Sequence, residues 1–189
     1  MMRFVIALFA SLILAGCATH GDDSLAPKTA GEVNLKRYQG KWYELARMPM
    51  YFQRNCAQSE AHYSLKPNGE IDVLNRCLTA EWKWEEARGT AVAQVPGKTD
   101  KLWVNFDNWF TRLLPGVVKG DYWVLYVSDD YQTAIVGNPN RRYLWLLSRK
   151  PEVNADTREE LLSRARQQGY DTTRLIWRVS DTRMAQTSK

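Results

Sequence analysis

From residue 40 to residue 148, apolar side chains recur at every second position in short runs that turn residues interrupt. A period of two marks a strand with one buried face. Lys101-Leu102-Trp103-Val104-Asn105-Phe106-Asp107 places Leu102, Val104 and Phe106 together on one side. The runs from Tyr122 to Val127 and from Tyr143 to Leu147 carry strand-favouring residues on both sides. Pro67-Asn68-Gly69 separates two runs as a hairpin turn, and Pro96-Gly97 and Asn138-Pro139-Asn140 precede two more. The pattern predicts strands over residues 40–48, 57–66, 70–77, 86–95, 101–107, 119–127, 132–137 and 142–148. Strands at such regular spacing form a meander, and closing it removes the edges that an open antiparallel sheet exposes. Beyond it, Asp156-Thr157-Arg158-Glu159 has the form of a capping box, Leu161, Leu162 and Ala165 follow at helical spacing, and Gly169 suits the C′ position. Residues 174–180 form a last short strand. The expected class is all-β: an eight-stranded antiparallel up-and-down β-barrel with one C-terminal α-helix packed outside.

The first residues set where such a barrel sits. Arg3 gives a positive start, Phe4 to Leu14 an apolar stretch, and Ala15-Gly16 small residues before a cleavage point. The apolar stretch is shorter than the ~20 residues a membrane-spanning helix needs. Leu14-Ala15-Gly16-Cys17 resembles the lipobox of bacterial lipoproteins. That resemblance implies a signal peptide over residues 1–16 and lipidation of Cys17 as the first mature residue. Ala18, in place of Asp, implies the outer membrane. Residues 17–34 then form the lipidated cysteine and a flexible tether, 35–181 the barrel domain and 182–189 a tail. The expected location is the outer membrane, lipid-anchored and facing the periplasm, with the membrane as partner through the N-terminal lipid.

The formal charge of +5 is small, and its basic residues are interleaved with acidic ones. No stripe fits nucleic acid. Beyond Cys17, Cys56 and Cys77 form an even pair, which in an oxidising compartment favours a disulfide over a reactive thiol or a metal ligand. Counting from the Asn68-Gly69 turn sets Cys56 opposite position 81 rather than 77, so the bridge needs a bulge to absorb the offset. His62 is the one histidine of the domain and alternates outward, and no metal-ligand spacing appears, so neither metal nor cofactor is expected.

Gly40-Lys41-Trp42-Tyr43 opens the first strand, Asp130-Tyr131 sits in the turn after the sixth, and Arg149 closes "YLWLLSR" after the eighth. In this order they resemble the three motifs of the lipocalin family, with Asp129 standing where a Thr completes the second. Residues 35–180 as a whole resemble the bacterial outer-membrane lipocalins. The resemblance implies a calycin-type barrel in which Trp42 packs under the Arg149 guanidinium and plugs one end, with Gly40, Asp130 and Tyr131 as the other structural positions. Such a barrel is a cup for a small hydrophobic ligand, a fatty acid or a lysophospholipid.

With Trp42 inward, alternation lines the cup with Glu44 and Ala46, Ala61 and Tyr63, Val73 and Asn75, then Ala87, Gly89, Ala91 and Ala93. Leu102, Val104 and Phe106 follow, then Tyr122, Val124 and Tyr126, Ile135, and Tyr143, Trp145 and Leu147. The small residues of the fourth strand leave room, and an apolar, aromatic lining suits an alkyl chain, each buried CH₂ contributing about 0.8 kcal/mol. Glu44 is the odd member. It either reaches solvent or backbone at one end or contacts a polar group of the ligand. The 47–54 loop is expected at the open end, with Phe110 and Leu113-Leu114-Pro115 as a further apolar patch. No catalytic constellation is evident, so a binder rather than an enzyme is expected. The alternative is a structural or partner-binding envelope lipoprotein with a filled barrel. The oligomeric state stays open, a dimer included.

Overall fold

The computed structural model describes residues 26–107 and 119–187. Its strands are β1 (Gly40–Arg47), β2 (Cys56–Leu65), β3 (Ile71–Thr79), β4 (Trp84–Ala93), β5 (Lys101–Phe106), β6 (Gly120–Val127), β7 (Thr133–Gly137) and β8 (Leu144–Ser148). Each pairs antiparallel with the next, and β1 pairs with both β2 and β8, so the sheet closes on itself. Every strand end lies within two residues of the expected one. The predicted last strand is the two-residue β9 (Ile176–Trp177), which pairs with β1 at Ala46 and Arg47.

Two apolar layers share these strands. Trp42, Tyr63, Val73, Leu102, Val124 and Leu147 pack inside the barrel. Leu125, Ile135, Leu144 and Leu146 face outward and pack under Leu161 and Ala165 of α2 (Ala155–Gln167). The apolarity of β6, β7 and β8 on both faces is therefore the mark of a helix-covered wall. α2 is preceded by α1 (Leu35–Tyr38) and followed by α3 (Asp181–Thr187).

Three expectations need correction here. The N-cap of α2 is Asn154, not Asp156: its side chain accepts the Thr157 N–H at 2.8 Å. The C-terminal stretch expected as a tail is helical over Asp181–Thr187 and buries Met184. The expected tether is docked on the barrel from Ala26 onward. The Ala30 N–H bonds to the Val124 carbonyl at 2.9 Å and the Val33 N–H to Thr99 Oγ1 at 2.8 Å, and Val33 is buried. A polar stretch can dock this way because extended backbone finds partners along a barrel wall without a large apolar face.

Candidate ligand-binding cavity

The closed end is built around Trp42, which is fully buried. Its indole Nε1–H donates to the Tyr38 carbonyl at 2.7 Å, and the Arg149 guanidinium lies 3.8 Å over its ring. Arg149 also donates to the carbonyls of Lys41, Arg37, Gln39, Tyr38 and Tyr131 at 2.7 to 3.3 Å. A planar five-donor fork suits this work where an ammonium does not. Gly40 has a φ of +96°, which favours glycine, and a Cβ there would meet Arg149 Nη1 at 3.4 Å. Asp130 accepts from Ser128 Oγ at 2.6 Å and from the Gln132 N–H at 3.1 Å, which hold its carboxyl below the usual range and shape the β6–β7 turn. Tyr131 then accepts the Asn34 N–H at 2.9 Å and carries the Arg37 guanidinium on its ring. The motif residues thus meet at one end and seal it through α1.

Above the plug, three phenols form a chain: Tyr38 and Tyr122 share a hydrogen bond of 2.8 Å, and Tyr122 donates to Tyr63 at 3.0 Å. Burial pushes all three hydroxyls up, Tyr63 to about 12, so they remain neutral donors and acceptors at ordinary pH. Over this floor opens a cavity of about 370 Å³. Glu44, Ala61, Tyr63, Val73, Asn75, Val104, Phe106, Tyr122, Tyr143 and Trp145 line it, as alternation predicts, together with Ala87 and Leu147. Ala91 and Leu102 border a narrow space at the floor. Val124 is packed in the interior layer. Gly89 lies against the Phe106 ring, where a Cβ would meet Phe106 Cδ1 at 3.0 Å and the Asn105 carbonyl at 2.3 Å.

Ala46, Tyr126 and Ile135 are not in the cup; all three belong to the outer layer. β1 shifts register between Glu44 and Ala46, and β6 between Val124 and Tyr126, so the alternation counted from Trp42 and Tyr122 reverses there. Tyr126 instead donates to Glu160 and lies under Arg164 of α2. β7 has no such shift, but it is buried along its whole length, and an apolar run without contrast carries no phase. Its inward residues are Ala134 and Val136. His62 points outward as expected and bonds to Glu60 at 3.0 Å. Cys17, Phe110 and Leu113-Leu114-Pro115 lie outside the described residues.

Sequence reasoning missed the polar group at the mouth. Arg47, only 2% exposed, donates from Nη1 to Glu44 at 2.9 Å and from Nη2 to the Gln53 carbonyl at 2.7 Å and the Cys56 carbonyl at 3.1 Å. Gln53 Nε2 donates to Glu44 at 2.9 Å, and Trp145 Nε1 donates to Gln53 Oε1 at 2.9 Å. Neither expectation for Glu44 included this internal ion pair. Burial raises the Glu44 pKa, while Arg47 and Gln53 pull it back down. The β1 bulge supplied no signal in advance: it turns Arg47 into the wall, where the sequence reading begins the open-end loop at that residue. The Cys56–Cys77 disulfide is formed, with the Cα atoms 5.3 Å apart. A register shift between Cys56 and Gln58 brings Cys56 opposite Thr79 while Cys77 faces Ser59, so it absorbs part of the expected offset and the bridge runs diagonally across the remaining two residues. Both cysteines border the cavity. Among the described residues, no group of acidic, His and Cys side chains could hold a metal ion.

A family model for the lipocalin-like domain matches residues 33–180. The chain belongs to the lipocalin family. This lipocalin is 36% identical over 179 residues to the outer membrane lipoprotein Blc of Vibrio cholerae, covering 93% of this chain and 98% of the relative. It is 39% identical over 145 residues to temperature-induced lipocalin-1 of Arabidopsis thaliana, covering 76% and 77%. Insecticyanin from Manduca sexta is 20% identical and superposes with a TM-score of 0.66 over 84% of this lipocalin and 87% of that chain, which shows the shared barrel.

Proposed function

We propose that this lipocalin binds one hydrophobic molecule with a long acyl chain, a fatty acid or a lysophospholipid, and stores or carries it at the outer membrane. The cavity carries this reading: about 370 Å³ of space whose exposed surface is mainly apolar, edged by polar and charged side chains such as Glu85, Lys119 and Arg142. Ligand sites in proteins span ~300–1,000 Å³ and share this chemistry. A filled barrel, the competing reading, would leave no such space. Glu44 is engaged by Arg47 and Gln53, which favours a structural role at the mouth over direct contact with a polar group of the ligand. The Leu14-Ala15-Gly16-Cys17 segment and the likeness to a protein named as an outer membrane lipoprotein support a lipid anchor on Cys17, with the barrel on the periplasmic side.

Native mass spectrometry of a form lacking residues 1–17, exported to a periplasm, tests the cargo. A discrete added mass, identified after extraction as a fatty acid or lysophospholipid, is the expected result. An empty barrel that also refuses an added fluorescent acyl probe would overturn the reading. Metabolic labelling with palmitate tests the anchor: the native chain takes up label and Cys17→Ser does not.

A further inference from the structure

The docked N-terminal segment shows which end of the barrel the tether leaves. The Lys28 N–H donates to Gln168 Oε1 at 2.9 Å, and Gln168 Nε2 donates back to the Lys28 carbonyl at 3.2 Å. Gln168 ends α2 beside the β7–β8 turn, its carbonyl accepting from Arg141 Nε at 2.6 Å. Asn138, Asn140 and Arg142 of that turn edge the mouth of the cavity. From this rim the chain descends the wall past Val124 and Thr99 to the base, where the Asn34 N–H meets the Tyr131 hydroxyl. The tether therefore leaves from the open end. Cys17 and Ala26 are nine residue steps apart, a reach of at most about 30 Å. An eight-residue strand such as β1 is ~26 Å long. Tilted as barrel strands are, they give a wall ~20 Å tall, so turning the base to the membrane would use about two-thirds of the tether in running back along it.

The same rim exposes aromatic rings. Tyr51 is 64% exposed, and Trp82 and Trp84 are each 44% exposed. Cys56 pairs with Thr79 across β2 and β3, which sets the Tyr51 loop beside the β3–β4 hairpin. Trp82 has a φ of 61°, a left-handed conformation that a bulky residue adopts at a cost. An exposed ring gives the fold little in return. The Arg54 guanidinium lies 4.0 Å over Tyr51 and that of Arg76 4.2 Å over Trp84. Trp and Tyr collect at the headgroup level of bilayers, where a guanidinium such as that of Arg54 meets phosphate; Arg76 is held by Glu60 and Glu86 and serves to orient Trp84.

We propose that the open rim, through Tyr51, Trp82 and Trp84, docks on the phospholipid surface to which the chain is tethered, so that the cavity opens onto the bilayer. The inference rests on the lipid anchor proposed above. An acyl chain would then pass between membrane and cup without crossing bulk water.

Tryptophan quenching tests it. The mature lipidated protein, with Trp109, the tryptophan outside the described residues, replaced throughout (Trp109→Phe), is reconstituted into vesicles of phosphatidylethanolamine and phosphatidylglycerol. Half of the preparations carry acyl chains brominated next to the headgroup. Bromine is expected to lower the emission, and the Trp82→Asn/Trp84→Thr variant to lose most of that quenching while still floating with the vesicles. Asn suits the backbone at position 82, so the variant should stay folded, which a thermal melt checks. Protein that floats without quenching, or a variant quenched as strongly as its parent, overturns the docking. Protein that does not float overturns the anchor, and the docking with it. A changed oligomeric state with unchanged quenching assigns the rings to a protein interface and also overturns it.

Discussion

Arg47 and Glu44 are held inside the wall with little solvent, so their pairing carries more weight than any surface bridge. Removing one partner of a buried pair strands the other and costs about 3–5 kcal/mol. Arg47→Met is expected to lose that much at neutral pH. Its pH dependence identifies the stranded group. Burial already raises the Glu44 pKa in the native fold, and the guanidinium opposes that rise. A folded pKa above the unfolded one gives a stabilising contribution that is complete below the unfolded value and lost as pH rises through the folded value. Without Arg47 the folded pKa climbs further, so the variant should recover stability as pH falls from neutral toward the unfolded carboxylate value of about 4.3. Denaturant midpoints of variant and native protein, measured at both ends of that window, check this. A deficit that stays constant across pH would mean that Glu44 is not the stranded charge. At the base, Arg149→Lys keeps the charge but not the fork that serves five carbonyls. A loss of about 2 kcal/mol is expected in the same titration.

Among the elements, β4 sets the size of the cup. Ala87 lines the cavity, and Ala91 borders its floor. Ala87→Phe should fill the space that an acyl chain needs and weaken binding of a fluorescent acyl probe by tenfold or more, about 1.4 kcal/mol. Its melting temperature should not fall, since a filled void offsets the added bulk. An unchanged probe affinity would place the ligand elsewhere. That β4 carries the small residues was legible in the sequence, because period-two alternation with Trp42 inward fixes the face of every residue up to the first irregularity. What alternation cannot announce is a bulge, because an extra residue leaves no mark in a wall that is apolar on both sides. For that reason Ala46 and Tyr126 were expected on the wrong face, and Arg47 was read as a rim residue. The phase of β7 was hidden for a related reason, since α2 covers its outer face and removes the polar contrast. The docking of residues 26–34 was hidden too, because it rests on backbone hydrogen bonds to partners distant in sequence.

At the scale of the whole molecule, the two ends of the barrel are held by different means. The base is closed by Trp42, Arg149 and α1 with a dense set of hydrogen bonds. The mouth must stay open, and is held by the Cys56–Cys77 bridge and the Arg47–Glu44–Gln53 group, joined where Arg47 donates to the Cys56 carbonyl. The bridge closes a loop with a sequence separation of 21, for which chain entropy predicts about 3 kcal/mol. Cys56→Ser/Cys77→Ser should lose about that much global stability. It should also loosen the molecule unevenly, since the base does not depend on the bridge. Amide exchange is expected to accelerate over residues 51–60 and 76–86 while Trp42, Tyr38 and Arg149 keep their protection. Equal acceleration at both ends would show that the barrel opens only as one unit, and that the bridge stabilises the whole fold rather than the shape of the mouth.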